Sequence, residues 1–318
     1  MGRKLIIVGA DFSENGFRTS NVVNIELKND GTIPYKFYLL PTPLTYESNV
    51  NPRPVVPGDA ILKSVSADGG VNIDSGTYVS FLFGRNQTDD HIIYIKSLTA
   101  NYNKNIVNDA NQSLMYINAD VVDLRGIKFG DEINANKMFS GSSIADLKMP
   151  DVVINGANNM FYNYCNERTN VHQSFSFIKQ IKGTANSIFK YLKCASADFS
   201  GIDVSQATDL QHAFQNNTLS EIDLSTWTFP HVRMSSMFEN AANLKTLHLD
   251  KWDISADNGV LYIGLFRGCS ALTTVYVTEC SANAKTWLLT QLNAQEAGGS
   301  TNWTESTVDG KAALVGGS

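Results

Sequence analysis

The sequence predicts a mixed α/β protein built on a leucine-rich repeat solenoid of about seven rungs, with an amino-terminal all-β, sandwich-like domain and a carboxy-terminal cap made of a helix and a hairpin. Three observations support this fold class. A short strand phrase recurs through the middle of the chain, and a phenylalanine recurs with the same period. Gly- and Pro-rich turns separate short β-prone runs near the amino terminus.

The strand phrase is an apolar residue, two free positions, an apolar residue, one free position and a third apolar residue. Leu244-x-x-Leu247-x-Leu249 is a clear copy. The free position between the last two apolar residues forms a column of Asp123, Lys148, Ser176, Asp198, Asp223, His248 and Tyr276. Successive members are 22 to 28 residues apart, a spacing typical of leucine-rich repeats. Because strand residues alternate between two faces, we expect this column to point outward and its apolar neighbours inward.

A second column consists of phenylalanines that lie shortly before the next strand phrase. Its members are Phe139, Phe161, Phe189, Phe214, Phe238 and Phe266. We expect each of them to end a short helical or turn segment, such as residues 231–238, and to pack onto the core from the wall opposite the strands. One unit cannot bury both walls alone, so several units must stack and the ends of the stack must be sealed.

The repeats resemble those of known surface proteins. Residues 266–277 resemble the BspA-like leucine-rich repeat, and residues 234–255, with their Met-Phe and Asp-x-Ser phrases, are similar to the related surface repeat. The resemblance covers roughly half of the chain. It implies a repeat fold that serves surface adhesion and recognition, and it brings no catalytic residue with it.

The predicted domains divide the chain into four parts, which are residues 1–20, 21–105, 106–280 and 281–318. In the all-β part, Val23-x-Ile25-x-Leu27 alternates like a strand and Asn29-Asp-Gly31 is a turn signal. Further strands are expected at residues 35–40, 61–65, 71–73, 78–83 and 91–98. In the last part, Ser281 is expected to cap a helix, and residues 303–315 are expected to form a hairpin that completes the lid.

Residues 1–20 contain one short β-prone run. The phrase Lys4-Leu-Ile-x-x-Gly-Ala-Asp-Phe-Ser13 resembles the amino-terminal segment of virion proteins of phages that infect Bacteroides-type bacteria. This resemblance implies assembly with other virion proteins through residues 1–20, and a lone strand at residues 5–8 favours a homo-oligomer. The alternative is that this run is an ordinary first strand of the following domain.

Composition disfavours several classes of protein. The net charge is −6, the sequence pI is about 5.4, and no Lys/Arg cluster is longer than Arg3-Lys4, so a nucleic-acid partner is not expected. No apolar run approaches the length of a membrane span, and the run at residues 5–10 is short for a signal peptide. A hydrophobic content of 43% supports a folded core.

The cysteines are predicted to be buried free thiols. Cys165, Cys194, Cys269 and Cys280 form no C-x-x-C pair and have no histidine at metal-ligand spacing. Cys194 and Cys269 fall at or near repeat positions that suit a small apolar side chain. A disulfide framework and a zinc site are therefore not expected.

The sequence contains no motif for nucleotide binding, metalloprotease chemistry or a nucleophilic serine. We therefore predict no enzyme, no catalytic residue, no cofactor and no metal. Asp89, Asp90 and His91 form a close acid and base cluster, which we interpret as solvated turn residues. Asp250, Asp253 and Asp257 with Asn258-Gly259 could suggest a calcium loop, but their spacing does not match one. Because Asp253-Ile-Ser255 recurs as Asp203-Val-Ser205 and Asp223-Leu-Ser225, these aspartates are interpreted as turn caps.

The outward column supplies the candidate binding residues, which are Asp198, Asp223, His248 and Tyr276. Its acidic middle and aromatic end suit a polar polymer, held by hydrogen bonds and one stacking ring. A glycan or a protein of a host surface is the expected ligand. The alternative is that these are ordinary solvated strand residues.

Two functions follow from these patterns. The first is a non-enzymatic structural protein of a phage virion, a fibre or adaptor that presents the repeat surface for attachment or host recognition. The alternative is a BspA-like adhesin on the bacterial cell surface. The first places the chain in the virion, and the second places it on the cell.

Overall fold

The computed structural model describes short strands between residues 23 and 110, residue 114, and residues 118–166, 168–229, 232–253 and 263–317. The chain divides into two compact units, residues 1–133 with 137–150 and residues 134–136 with 151–318. The predicted anchor segment 1–20 lies outside the described residues, so its role stays a prediction. The four predicted domain boundaries likewise stay predictions.

Ten strands begin among the described residues of the first unit. They are β1 (Val23–Lys28), β2 (Tyr35–Leu40), β3 (Thr45–Tyr46), β4 (Pro54–Val55), β5 (Ile61–Val65), β6 (Gly70–Ile73), β7 (Tyr78–Ser80), β8 (Tyr94–Asp109), β9 (Asn118–Asn134) and β10 (Ser143–Lys148). β2 pairs with β5 and β7, and β1 pairs with β6 and β8, all antiparallel. Strands β1, β2, β5, β6 and β7 coincide with or overlap the predicted runs, whereas β3 and β4 lie outside them and β8 continues beyond its run to Asp109. The arrangement of these strands as a sandwich stays a prediction.

The first two copies of the strand phrase pair as the sequence predicts. β9 and β10 are parallel, with Asp123 opposite Lys148. Val122 and Leu147, which precede this pair, are both buried. The alternation of inward apolar and outward polar residues therefore sets the register here.

The second unit contains the other strands and the helix. They are β11 (Val152–Gly156), β12 (His172–Ser174), β13 (Ile178–Thr184), β14 (Ser196–Asp198), β15 (Glu221–Asp223), β16 (Thr246–His248), β17 (Thr274–Tyr276), α1 (Ala282–Ala294), β18 (Trp303–Val308) and β19 (Lys311–Gly316). β12 pairs with β14, β11 with β13, and β16 with both β15 and β17, all parallel. The described part of the chain forms a β-solenoid of about six turns with little helix, rather than the predicted seven rungs.

The predicted phenylalanine column forms a continuous stack inside the second unit. Phe161, Phe189, Phe214, Phe238 and Phe266 are all 0% exposed. Neighbouring rings are stacked at centroid distances of 5.7, 5.3, 5.7 and 6.0 Å, with interplanar angles of 3° to 22°. Offset-stacked rings at such distances attract one another beyond the effect of burial alone. Each rung thus contributes one ring to a shared core.

The segments that contain these phenylalanines are turns and not helices. Each has two left-handed residues flanking the phenylalanine, in the pairs Asn159 and Asn163, Ser187 and Tyr191, His212 and Asn216, Ser236 and Asn240, and Gly264 and Gly268. Asparagine and glycine adopt this backbone conformation most readily. This conformation directs every second N–H group toward the next rung, as in the hydrogen bond from Phe161 N to Ile188 O (2.8 Å). A second backbone ladder therefore replaces the helical wall typical of a leucine-rich repeat.

The predicted register is wrong in the rung that contains β12. Asp198 lies opposite Ser174, and not opposite Ser176. The inward position of this rung is occupied by Gln173, which is 6% exposed. Its side chain accepts a hydrogen bond from the Tyr164 hydroxyl (3.3 Å) and donates one to Ser174 O (2.8 Å). Because the inward residue is polar, the strand phrase could not be recognised from its apolar pattern. Aligning this rung on the nearby apolar residues placed the predicted outward position two residues too late.

A second row of aromatic side chains lies in the same core. Phe175 and Phe199 are stacked at 5.5 Å, and Phe229 and Trp252 at 4.7 Å. Trp227 is fully buried and donates from Nε1 to Phe199 O (3.1 Å). These residues follow the strands, so the core contains aromatic side chains in addition to the phenylalanine column.

All four cysteines are buried free thiols, in agreement with the prediction. The Sγ atoms of Cys269 and Cys280 donate to carbonyl oxygens of the preceding rung at 3.0 Å. Burial raises the pKa of Cys269 to about 12 and that of Cys280 to about 11. Cys165 and Cys194 face each other, with their Sγ atoms 2.7 Å apart.

The carboxy-terminal helix and hairpin occupy the places expected from the sequence. The Ser281 side chain accepts a hydrogen bond from Ala284 N (3.2 Å), and Ala284, Leu288 and Leu292 form the buried face of α1. β18 and β19 form an antiparallel hairpin, and β19 adds antiparallel to β17. That these elements seal the stack stays a prediction.

Candidate binding surface

The predicted outward column is assembled in register for its last three members. Asp223 lies opposite His248, and His248 lies opposite Tyr276. The residues between the outward positions, Ile222, Leu247 and Val275, are fully buried. The three residues of each strand therefore point out, in and out, as their period predicts.

Asp198 is exposed, and its carboxylate accepts hydrogen bonds from its own turn and from the paired strand β12. Oδ1 accepts a hydrogen bond from Ser200 N (2.9 Å), and Oδ2 accepts one from the Ser174 hydroxyl (3.0 Å). Burial alone would raise the pKa of Asp198, but the hydrogen bonds from Ser200 and Ser174 outweigh it, and the pKa is lowered. The carboxylate is therefore held ionised at the surface.

Asp223 and Asp203 have the same turn-capping role, as the sequence predicts. Asp223 Oδ1 accepts from Ser225 N (2.9 Å), and Asp203 Oδ1 accepts from Ser205 N (2.8 Å). A carboxylate that accepts the backbone N–H two residues later closes a turn after the strand. The recurrence of Asp-x-Ser thus has a structural cause in addition to any part in binding.

The lowered pKa of Asp203 allows the contribution of these turn caps to stability to be measured. Hydrogen bonds from Ser205 lower the pKa of Asp203 below its ordinary value of 3.8, with a further contribution from Gln180. A lowered pKa in the folded state contributes stability above about pH 4, and this contribution is lost as the pH falls through the folded-state pKa.

We expect Asp203→Ala to reduce the free energy of unfolding at pH 7 by about 0.5–1.5 kcal/mol, because the hydrogen bonds from Ser205 N and from the partly buried Gln180 side chain are lost. Asp203→Asn keeps an acceptor for Ser205 N, so it should retain most of the stability at pH 7 and lose less of it below pH 4. Urea titrations of the three proteins over this pH range measure both effects. Equal acid sensitivity of Asp203→Asn and the unchanged chain would contradict the assignment.

The aromatic end of the column is covered, so the predicted free stacking ring is absent there. The rings of His248 and Tyr276 are stacked at 4.4 Å and 18°. Lys311 Nζ lies 5.8 Å from the centroid of the Tyr276 ring, which belongs to a residue only 8% exposed. His248 Nε2 lies 3.2 Å from Glu221 Oε1. The exposed part of the predicted surface is therefore its acidic middle, Asp198 and Asp223.

A cleft of about 550 Å³ lies beside the strands and was not predicted. Its polar lining residues are Thr169, Lys193, Thr218, Ser220, Asn243 and Lys245, and two alanines and Cys194 complete it. The polar residues lie one or three positions before the strands, on either side of the first inward apolar residue of the phrase. Aligning these two positions across the repeats would have found the cleft.

The described parts of the chain contain no group of three or more His, Cys, Asp or Glu residues able to hold a metal ion. Within the same residues, no helix has the length and apolar character needed to cross a bilayer.

Comparison with known proteins gives one family match. Residues 155–273, somewhat more than a third of the chain, match the family described as "Mycoplasma protein of unknown function, DUF285". No curated protein and no solved structure matches the chain. The match and the solenoid fit a BspA-like surface repeat protein, while the resemblance to phage virion proteins finds no support.

Proposed function

We propose that the chain is a non-enzymatic surface adhesin of the BspA-like kind, whose solenoid recognises a molecule on another surface. The in-register stack of rungs supports this proposal most strongly. Short strands with buried centres place polar side chains in rows along the second unit, where Asp198 and Asp223 are exposed. Extended rows of this kind are the usual binding surfaces of repeat proteins.

The family match favours the adhesin over the phage virion protein. The matched residues 155–273 belong to the repeats, and the virion hypothesis rests on the phrase at residues 4–13, outside the described part of the chain. The virion hypothesis also predicts a homo-oligomer and a place in the particle. The two functions therefore differ in where the protein is found.

Fractionation of the cells that encode the chain tests the proposal. We expect antibodies against the second unit to label intact cells, and we expect protease treatment of those cells to remove the signal. Phage particles purified from the same culture by density gradient are the control, and they should contain none of the protein. Signal that bands with the particles and is absent from the cell envelope would establish the virion alternative instead.

A further inference from the structure

The cleft described above follows the axis of the solenoid. Three positions before the strands, Thr169, Lys193, Thr218 and Asn243 succeed one another on consecutive rungs. One position before the strands, Ser220 and Lys245 do the same. The first column continues to Ala271 and so spans five rungs, about 19 Å at the usual spacing of neighbouring strands. A linear molecule lying along the stack fits this shape.

The polar side chains that line the cleft are neutral or basic, and Cys194, Ala195 and Ala271 form an apolar part of the same lining. Hydroxyl groups and one amide alternate with two ammonium groups, and none of the nine lining residues is acidic. Among the described residues, neither Lys193 nor Lys245 forms an ion pair, and Lys193 Nζ donates to the neutral Asn166 side chain. Glu221, which follows Ser220, directs its carboxylate to His248. The cleft therefore favours an anion, although the whole chain has a net charge of −6.

Several main-chain N–H groups beside the cleft are occupied. Lys193 N, Thr218 N, Lys245 N and Thr273 N all donate to carbonyl oxygens of the preceding rung at 2.8–3.0 Å. An extended peptide that adds a strand needs such groups to be free, and none of the nine lining residues is aromatic or a large aliphatic residue. Side-chain hydroxyl, amide and ammonium groups instead match the hydroxyl and carboxylate groups of an acidic sugar chain.

The positions of the two lysines determine what spacing of negative charges a ligand of the cleft needs. Lys193 and Lys245 belong to rungs two apart, which is about 10 Å along the stack. A polysaccharide with one carboxylate on every sugar, or on every second sugar, presents negative charge at intervals that both ammonium groups can reach. We propose that this cleft binds a linear uronate-containing polysaccharide along the solenoid axis. This inference rests on the proposed adhesin function and gives it a ligand class and a site.

Binding of the full chain to polygalacturonate oligosaccharides tests the inference, with the methyl-esterified oligosaccharides as a neutral counterpart. We expect binding to the acidic form alone, and we expect it to weaken as salt is added, because both lysines are near the surface. Lys193→Gln and Lys245→Gln should each raise Kd about threefold to tenfold, and the double variant should raise it further. Lys251→Gln, an exposed lysine outside the cleft, is the matched control and should leave Kd unchanged.

The outcomes separate the site from the function. Equal binding of the esterified form, or an unchanged Kd in the double variant, overturns the cleft as an acidic-glycan site. A chain that labels intact cells but binds no polyuronate also overturns it, and leaves the adhesin function standing. A chain that is absent from the cell surface overturns the adhesin function itself, whatever its affinity for polyuronate.

Discussion

Replacing Phe214 with alanine is expected to lower the free energy of unfolding of the second unit by about 3–5 kcal/mol. The Phe214 ring is fully buried, and it stacks on Phe189 at 5.3 Å and on Phe238 at 5.7 Å. It also contacts the edge of Phe199 at 5.0 Å. Its removal leaves a cavity between rungs that the stacked neighbours cannot fill without breaking their own contacts.

Urea denaturation followed by tryptophan fluorescence measures this loss, because all four tryptophans lie in the second unit. Ile263→Ala is the matched control, since Ile263 is 63% exposed and its truncation should change stability by at most about 0.5 kcal/mol. Similar losses in the two variants would show that Phe214 is not part of a packed column.

Gly183→Ala is expected to destabilise the same unit by about 3 kcal/mol or more, through a steric clash instead of a cavity. A Cβ atom at Gly183 would lie 1.8 Å from the carbonyl oxygen of Asn155 in the neighbouring strand β11. A backbone atom cannot rotate away, so β11 and β13 would have to separate. Their pairing already contains a register shift between Ile154 and Gly156.

Gly201→Ala is the control for this prediction. Gly201 has a left-handed backbone with φ of 76°, and no atom lies within 4 Å of the position that a Cβ atom would occupy there. Alanine at this position should cost about 1–2 kcal/mol from backbone strain alone. Thermal unfolding of the two variants compares the effects, and a Gly183→Ala protein as stable as Gly201→Ala would show that β11 and β13 are not so closely paired.

The period of the sequence was enough to predict the two columns of the solenoid. The strand phrase repeats because each rung needs an inward apolar residue, and the phenylalanine repeats because each rung contributes one ring to the core. The turn caps at Asp203 and Asp223 were predictable for a similar reason, since one side chain satisfies one local N–H group. Such features follow from the residue pattern within a single rung.

Features that depend on contacts between rungs were missed. Gln173 is polar by type, and its hydrogen bonds with the Tyr164 hydroxyl and Ser174 O make it acceptable inside. In the sequence, the segments of the left-handed turns look like short helices. They form turns instead because their N–H groups find acceptors in the next rung. Tyr276 looks exposed until β19 adds beside it. The cleft was missed for the same reason, because residues of five successive rungs line it.

The register between neighbouring rungs is the central claim, and engineered cysteine pairs test it most directly. Thr246 and Thr274 lie opposite each other on outward positions of β16 and β17, about 4.8 Å apart at the usual strand spacing. Cysteines at these two positions should form a disulfide readily under mild oxidation, since their separation is within the range that a disulfide spans. Glu221 and Thr274 lie on strands two apart and should not cross-link within one molecule. Mass spectrometry of the oxidised variants distinguishes the results: a bond only in the Thr246 and Thr274 pair is predicted, and efficient cross-linking of Glu221 with Thr274 in its place would contradict the stack.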